Sequence, residues 1–222
     1  MLRVLLAVLL LIPGLASAGT QDSARFALHA QAPAAKSGDR CGESPNAQGI
    51  SCPNLRTSWP LRTPAHVYLL AVNAAYAPGV IRLEGGIQFW EGVRVTEWAG
   101  CADFDITHER DLPERTDFGF ILIWAADQCQ RFMPDPTEPF PVQVIGGSLY
   151  MYAYSGGEVH FIWNPMAAIP ELSIADCERN YTKSELEKHG TLAFGDAPGY
   201  NPCTGLTLVE AQTWGQIKAG FE

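Results

Sequence analysis

Six carboxylates crowd into residues 103–117 (DFDITHERDLPERTD): Asp103, Asp105, Glu109, Asp111, Glu114 and Asp117. Hard oxygen donors at that density are the chemistry of a calcium site, with Asp103, Asp105 and Glu109 as candidate ligands. Such an ion would be structural, since the loop has no glycine for the sharp turn of an EF-hand. A solvated acidic loop, relieved by Arg110 and Arg115, is the plainer expectation and the favoured one. A second constellation is aromatic and lies in residues 148–163 (SLYMYAYSGGEVHFIW). Paired as a hairpin, this segment puts Tyr150, Tyr152, Phe161 and Trp163 on one face, a platform on which the C–H faces of sugars could stack. Trp90 and Trp98 would stand on neighbouring strands. The competing expectation is that these rings are core between two sheets. It is favoured, because the opposite face offers too few aliphatic residues to make a core alone.

Nucleophilic catalysis has no support. The five histidines (His29, His66, His108, His160 and His189) are scattered, and neither G-x-S-x-G nor H-E-x-x-H occurs. Asp103-Phe-Asp105-Ile-Thr107 matches the D-x-D-x-T signature of haloacid-dehalogenase-like phosphatases and in that respect resembles them. The resemblance implies Asp103 as nucleophile and Asp105 as acid/base, with magnesium between them. It runs against the rest of the chain: that family needs a parallel sheet with long crossover helices, and no helix beyond two or three turns is legible here. Asn180-Tyr-Thr182 is a glycosylation sequon by pattern.

The elements that must position these groups are short strands. Residues 1–18 read as a secretory signal peptide: a basic start at Arg3, an apolar run, and Ala16-Ser17-Ala18 before the cleavage site. No later run reaches the roughly 20 apolar residues of a membrane span, so an exported protein, periplasmic or extracellular, is expected. Residues 19–62 read as a flexible leader that includes a loop closed by Cys41 and Cys52, and order is expected from about Thr63. Strands are expected at residues 66–73, 80–90 with a bulge at Gly85-Gly86, 93–98 and 118–125. The hairpin expected over residues 148–163 turns at Gly156-Gly157, with Ser155 opposite Glu158. Capping-box patterns at Thr182–Glu185 and Thr213–Gln216 predict two short helices, the second presenting Trp214, Ile217 and Phe221 on one face.

Without the signal peptide, 14 basic stand against 24 acidic residues, a net charge near −10. With no basic patch, nucleic acid is excluded as a partner. Six cysteines in an exported chain predict three disulfides, and sequential pairing is expected: Cys41 with Cys52, Cys101 with Cys129, and Cys177 with Cys203. The middle bridge requires the chain to cross between sheets, as in a Greek key.

The succession Cys-Ala-Asp (101–103), Cys-Gln (129–130), Ala-Tyr-Ser (153–155), Ala-Asp-Cys (175–177) and Thr213-Trp-Gly-Gln-Ile-Lys218 resembles a group of uncharacterised secreted bacterial proteins. The resemblance implies a small disulfide-bearing β domain and brings no activity with it. The expected fold is therefore all-β. It is a single antiparallel β-sandwich over residues 63–222, Ig-like in the broad sense, with one or two short C-terminal helices. The expected function is a secreted, non-catalytic domain, structural or adhesive, stabilised by disulfides. A carbohydrate-binding module is the alternative, and a D-x-D-x-T phosphatase stands behind both. The partner would be a protein or a glycan, and no cofactor is expected beyond a structural calcium.

Overall fold

The run at Ala65–Val72 is buried at all eight positions, which a strand achieves only when both faces of its sheet are covered. In the computed structural model, which describes residues 21–33, 41, 52–107, 116–131 and 144–204, that strand is β3. It pairs antiparallel with β1 (Arg25–Gln31) on one side and β8 (Val144–Ala153) on the other. β5 (Val93–Gly100) completes a four-stranded sheet in the order β1-β3-β8-β5.

The second sheet has eight strands and is organised on β4 (Val80–Phe89). One edge of β4 carries β7 (Asp117–Ile123), which in turn carries β6 (Phe104–Thr107). The other edge is shared. β10 (Ser173–Asp176) pairs with its first half and is followed outward by β11 (Tyr181–Lys183). β9 (Gly157–Ile162) pairs with its second half and is followed by β12 (Leu192–Phe194) and the short β2 (Ser58–Trp59). The chain is thus a β-sandwich, as its period-two patterning predicts.

Alternate residues of both sheets meet in the interior: Phe26, Leu28, Val67, Leu69, Leu149 and Met151 from one layer, and Leu83, Ile87, Phe120, Leu122 and Phe161 from the other. Phe26 sits between the layers, its ring 6.1 Å from Phe120 and 5.2 Å from Phe161. A second apolar cluster covers the outer face of the smaller sheet, where Cys52, Leu55 and Cys203 pack on Ala27, Tyr68, Leu70 and Val72. That cover is why β3 reads as an unbroken apolar run.

Several expectations change. The segment 148–163 is not a hairpin: β8 lies in the smaller sheet and β9 in the larger, and the Gly156-Gly157 link carries the chain across the sandwich. A Gly-Gly turn signal between two alternating strands fits either arrangement, because Met151 and Ala153 face the same interior from one layer that Val159 and Phe161 face from the other. Order begins well before Thr63. β1 is an edge strand whose Phe26 and Leu28 are fully buried, although its alanine-rich sequence has little apolar contrast.

The disulfides are Cys41–Cys101, Cys52–Cys203 and Cys129–Cys177, with Cα separations of 5.2, 5.7 and 5.9 Å, so the sequential pairing is wrong. Sheet pairing, not chain proximity, brings these cysteines together. Cys101 leaves β5 in one layer while Cys129 follows β7 in the other. Gln130 pairs with Val80 at the start of β4, on the strand that β10 leads Cys177 to. Gly85-Gly86 holds no bulge against β7; instead, side chains at these positions would collide with Leu172 and with Pro165 and Ile162. The helix expected after Thr182 is a strand through Lys183 followed by a 3-10 turn at Leu186–Lys188. The signal peptide, Glu109 and the 213–222 tail lie outside the described residues.

Candidate functional site

The expected aromatic platform is divided among three places. Tyr150 and Tyr152 do share a face, on the outer side of the smaller sheet, where both are half-buried. Tyr150 meets His66 edge-on at 5.3 Å, and Tyr152 meets Tyr154 at 4.7 Å and 67°. Phe161 points the other way, into the core, and Trp163 stands 54% exposed beyond the end of β9. These rings therefore present no common flat surface.

The carboxylates Asp103 and Asp105 do not converge either. Asp103 Oδ2 accepts the backbone N–H of Ala125 at 2.7 Å, and Asp105 Oδ2 accepts the indole N–H of Trp98 at 2.8 Å. Partial desolvation raises the Asp105 carboxyl above its usual value, against the opposing pull of donors from Trp98, Thr107 and Gly100. Both groups act as local hydrogen-bond acceptors that fasten β6 to its neighbours. Among the described residues, no three His, Cys, Asp or Glu side chains are grouped to hold a metal ion. Glu109, the third candidate ligand, lies outside those residues.

β6 alternates, and its other two side chains matter more. While Asp105 and Thr107 turn toward the interior side opposite Leu122 and Phe120, Phe104 and Ile106 face out opposite Ile123 and Ile121. The outer face of the larger sheet can be followed in rows across the strands. One row runs Phe104, Ile123, Arg82, Ala175, Tyr181. The next runs Ile106, Ile121, Glu84, Ser173, Lys183. Phe104 is 62% exposed, Ile106 53% and Tyr181 54%. The Arg82 guanidinium lies 5.6 Å from the centroid of Tyr181 and pairs with Glu84, which also accepts from Asn164 Nδ2 at 3.3 Å. This ties the row's one cation to Glu84 and leaves the Tyr181 ring exposed. A concavity of about 360 Å³ opens between Phe104, Ile123, Trp124, Arg179 and Tyr181.

At the opposite end of β4 the same face forms a groove of about 620 Å³ lined by Gln88, Trp90, Glu91, Thr116, Glu158 and His160. Gln88 lies opposite His160, and Gln88 Oε1 and His160 Nε2 share a hydrogen bond of 2.9 Å. The crossings from β4 to β5 and from β8 to β9 lie side by side here, joined by Trp90 N–H to Glu158 O (3.3 Å) and Tyr154 N–H to Gly92 O (2.9 Å). Trp90 rests on Gly157, where an added Cβ would come within 2.7 Å of the Trp90 Cβ. Sequence reasoning named Trp90 only as a neighbour of the supposed platform and passed over Phe104 and Ile106. The signal was present in β6, as apolar residues alternating with Asp103, Asp105 and Thr107.

No family model matches the chain, and no curated protein matches it. Among solved structures, similar ones include the sixth cohesin of scaffoldin B from Acetivibrio cellulolyticus, solved with a dockerin. It has a TM-score of 0.45 at 6% identity over 78% of this chain and 99% of that one. A type I cohesin–dockerin complex from Clostridium thermocellum gives 0.42 at 8% over 77% and 98%. A non-cellulosomal cohesin from Archaeoglobus fulgidus gives 0.42 at 7% over 85% and 99%.

Proposed function

We propose that the chain is an exported, non-catalytic adhesive module that docks a protein partner on the β6–β7 side of its larger sheet. The observation that supports this reading is an apolar patch: the exposed Phe104 and Ile106 on β6 beside the half-buried Ile121 and Ile123 on β7, with the exposed Tyr181 across Arg82 and Ala175. Burying a side chain of the size of Phe104 or Ile106 contributes about 1.5–3 kcal/mol, and contiguous apolar surface of this kind marks interaction sites. Among the described residues β6 pairs only with β7, so its free edge can also accept an added strand from the partner. Rigidity favours the same reading, since Asp105 and Asp103 tie β6 down at either side of Phe104.

The test is site-specific photo-crosslinking from position 106 in the producing cell. One discrete crosslinked species, lost when Phe104→Asp is added, is expected. A smear or no product from a correctly exported chain would refute docking at this face.

A further inference from the structure

We infer that the groove at the Trp90 end of the larger sheet is a second site, for an uncharged glycan. It lies on the same face as the apolar strip but uses none of its residues. Trp90 is 62% exposed, yet its position is set, because the side chain seats on Gly157 and the backbone on either side is hydrogen-bonded to neighbouring segments. An indole held in this way presents a flat apolar surface to the solvent, which the axial C–H groups of a pyranose can cover. The groups around it match hydroxyls. Glu91 and Glu158 offer carboxylate oxygens, the Gln88 amide keeps its N–H₂ donors once Oε1 is engaged by His160, and Thr116 adds a hydroxyl. The volume of about 620 Å³ lies in the range of small-molecule clefts.

The charge of the groove selects among glycans. Neither Glu91 nor Glu158 has an ion-pair partner among the described residues, so these two side chains present negative charge to uronate- and sulfate-bearing chains. An ammonium ligand would tolerate those carboxylates. Cation recognition, however, is characteristically built from a cage of rings, and Trp90 is accompanied by an amide, a hydroxyl and an imidazole. The donor and acceptor mixture favours hydroxyls.

The experiment is a titration of the purified, disulfide-intact protein with neutral gluco-, xylo- and manno-oligosaccharides, with polygalacturonate and with choline, followed by calorimetry. Saturable binding of at least one neutral oligosaccharide is expected, with none for polygalacturonate. Trp90→Ala should weaken it at least tenfold, Trp90→Phe should restore most of the loss, and Trp163→Ala should leave it unchanged. Gly157→Ala keeps the ring but displaces it, and should weaken binding as well. Absence of binding to every neutral oligosaccharide, equal affinity in Trp90→Ala, or binding of choline alone would each overturn the assignment. Because Phe104→Asp leaves this groove intact, glycan binding and protein docking fail independently.

Discussion

His189 contributes a share of this domain's pH-dependent stability that one substitution should remove. The side chain is 3% exposed, its ring 5.2 Å from Phe26 and 5.9 Å from Phe161, and its Nδ1 accepts the backbone N–H of Phe26 at 2.9 Å. An Nδ1 that accepts carries no proton, so the buried form is the neutral tautomer protonated on Nε2. Burial first, then the charges of Arg25 and Lys188, lower its pKa from 6.5 to about 3. The folded value lies below the unfolded one, so the unfolded chain takes up the proton first. The stabilisation is complete above pH 6.5 and is lost as pH falls toward the folded value. Linkage puts the loss at about 2 kcal/mol between pH 7 and pH 5, and about 4–5 kcal/mol by pH 3. With a urea m-value of about 2 kcal/mol/M, the first step lowers the unfolding midpoint by about 1 M. His189→Asn supplies Oδ1 in place of Nδ1 and does not titrate, whereas His189→Leu orphans the Phe26 N–H at a cost of about 1–3 kcal/mol at every pH. The assay is urea unfolding of wild type and both variants at pH 7, 6 and 5. His29, which accepts the Arg56 N–H and whose pKa is lowered to about 4, acts with the same sign. It is common to all three proteins and cancels in the difference. If the Asn and Leu variants lose midpoint in parallel with wild type between pH 7 and pH 5, the reasoning is wrong.

Two further predictions separate core from surface and local from global. Phe161→Ala should destabilise the domain by about 3–5 kcal/mol, whereas Trp163→Ala, two residues on but exposed, should stay within about 1 kcal/mol by the same urea assay; equal effects would return both rings to one face. Replacing Cys129 and Cys177 together by Ala opens a link spanning 48 residues, for which chain entropy gives about 4 kcal/mol. The Cys52–Cys203 pair spans 151 residues and should cost about 5 kcal/mol, so unfolding midpoints in the reverse order would refute the entropic account.

What the sequence made legible was governed by local periodicity, and what it hid was governed by partnership. β3, β5 and β7 announce themselves as apolar or alternating runs, and the structure places them within two residues of those boundaries. The outward direction of Tyr150 and Tyr152 relative to Met151 follows from the same alternation. Which strand lies beside β8 does not, because Phe161 and Met151 satisfy one interior whether they belong to one sheet or to two. Disulfide pairing fails for the same reason, since the bridges join chain ends that strand order brings together. β1 escaped notice because Ala27 and Ala30 are buried without apolar bulk, and only packing against Val67 to Val72 reveals them as strand residues. Candidate chemistry followed suit. Asp103 and Asp105 drew attention as carboxylates, yet the side chains left free on that strand are the apolar ones between and after them.

The two faces of the sandwich are not equivalent, and the difference bears on the proposed docking face. On the smaller sheet, Tyr68, Leu70 and Val72 point outward but are sealed beneath Leu55 and the Cys52–Cys203 bridge. Those three side chains are already covered within the chain, and the bridge holds the cover in place. On the larger sheet, side chains of the same kind, Phe104 and Ile106, point outward with no such cover among the described residues. Here the chain fastens the strand through Trp98 and Ala125, while Phe104 and Ile106 stay exposed. A strand that only needed to end a sheet would expose polar or charged side chains at its edge. Anchored carboxylates beneath and apolar residues above are what an edge needs when a partner completes it.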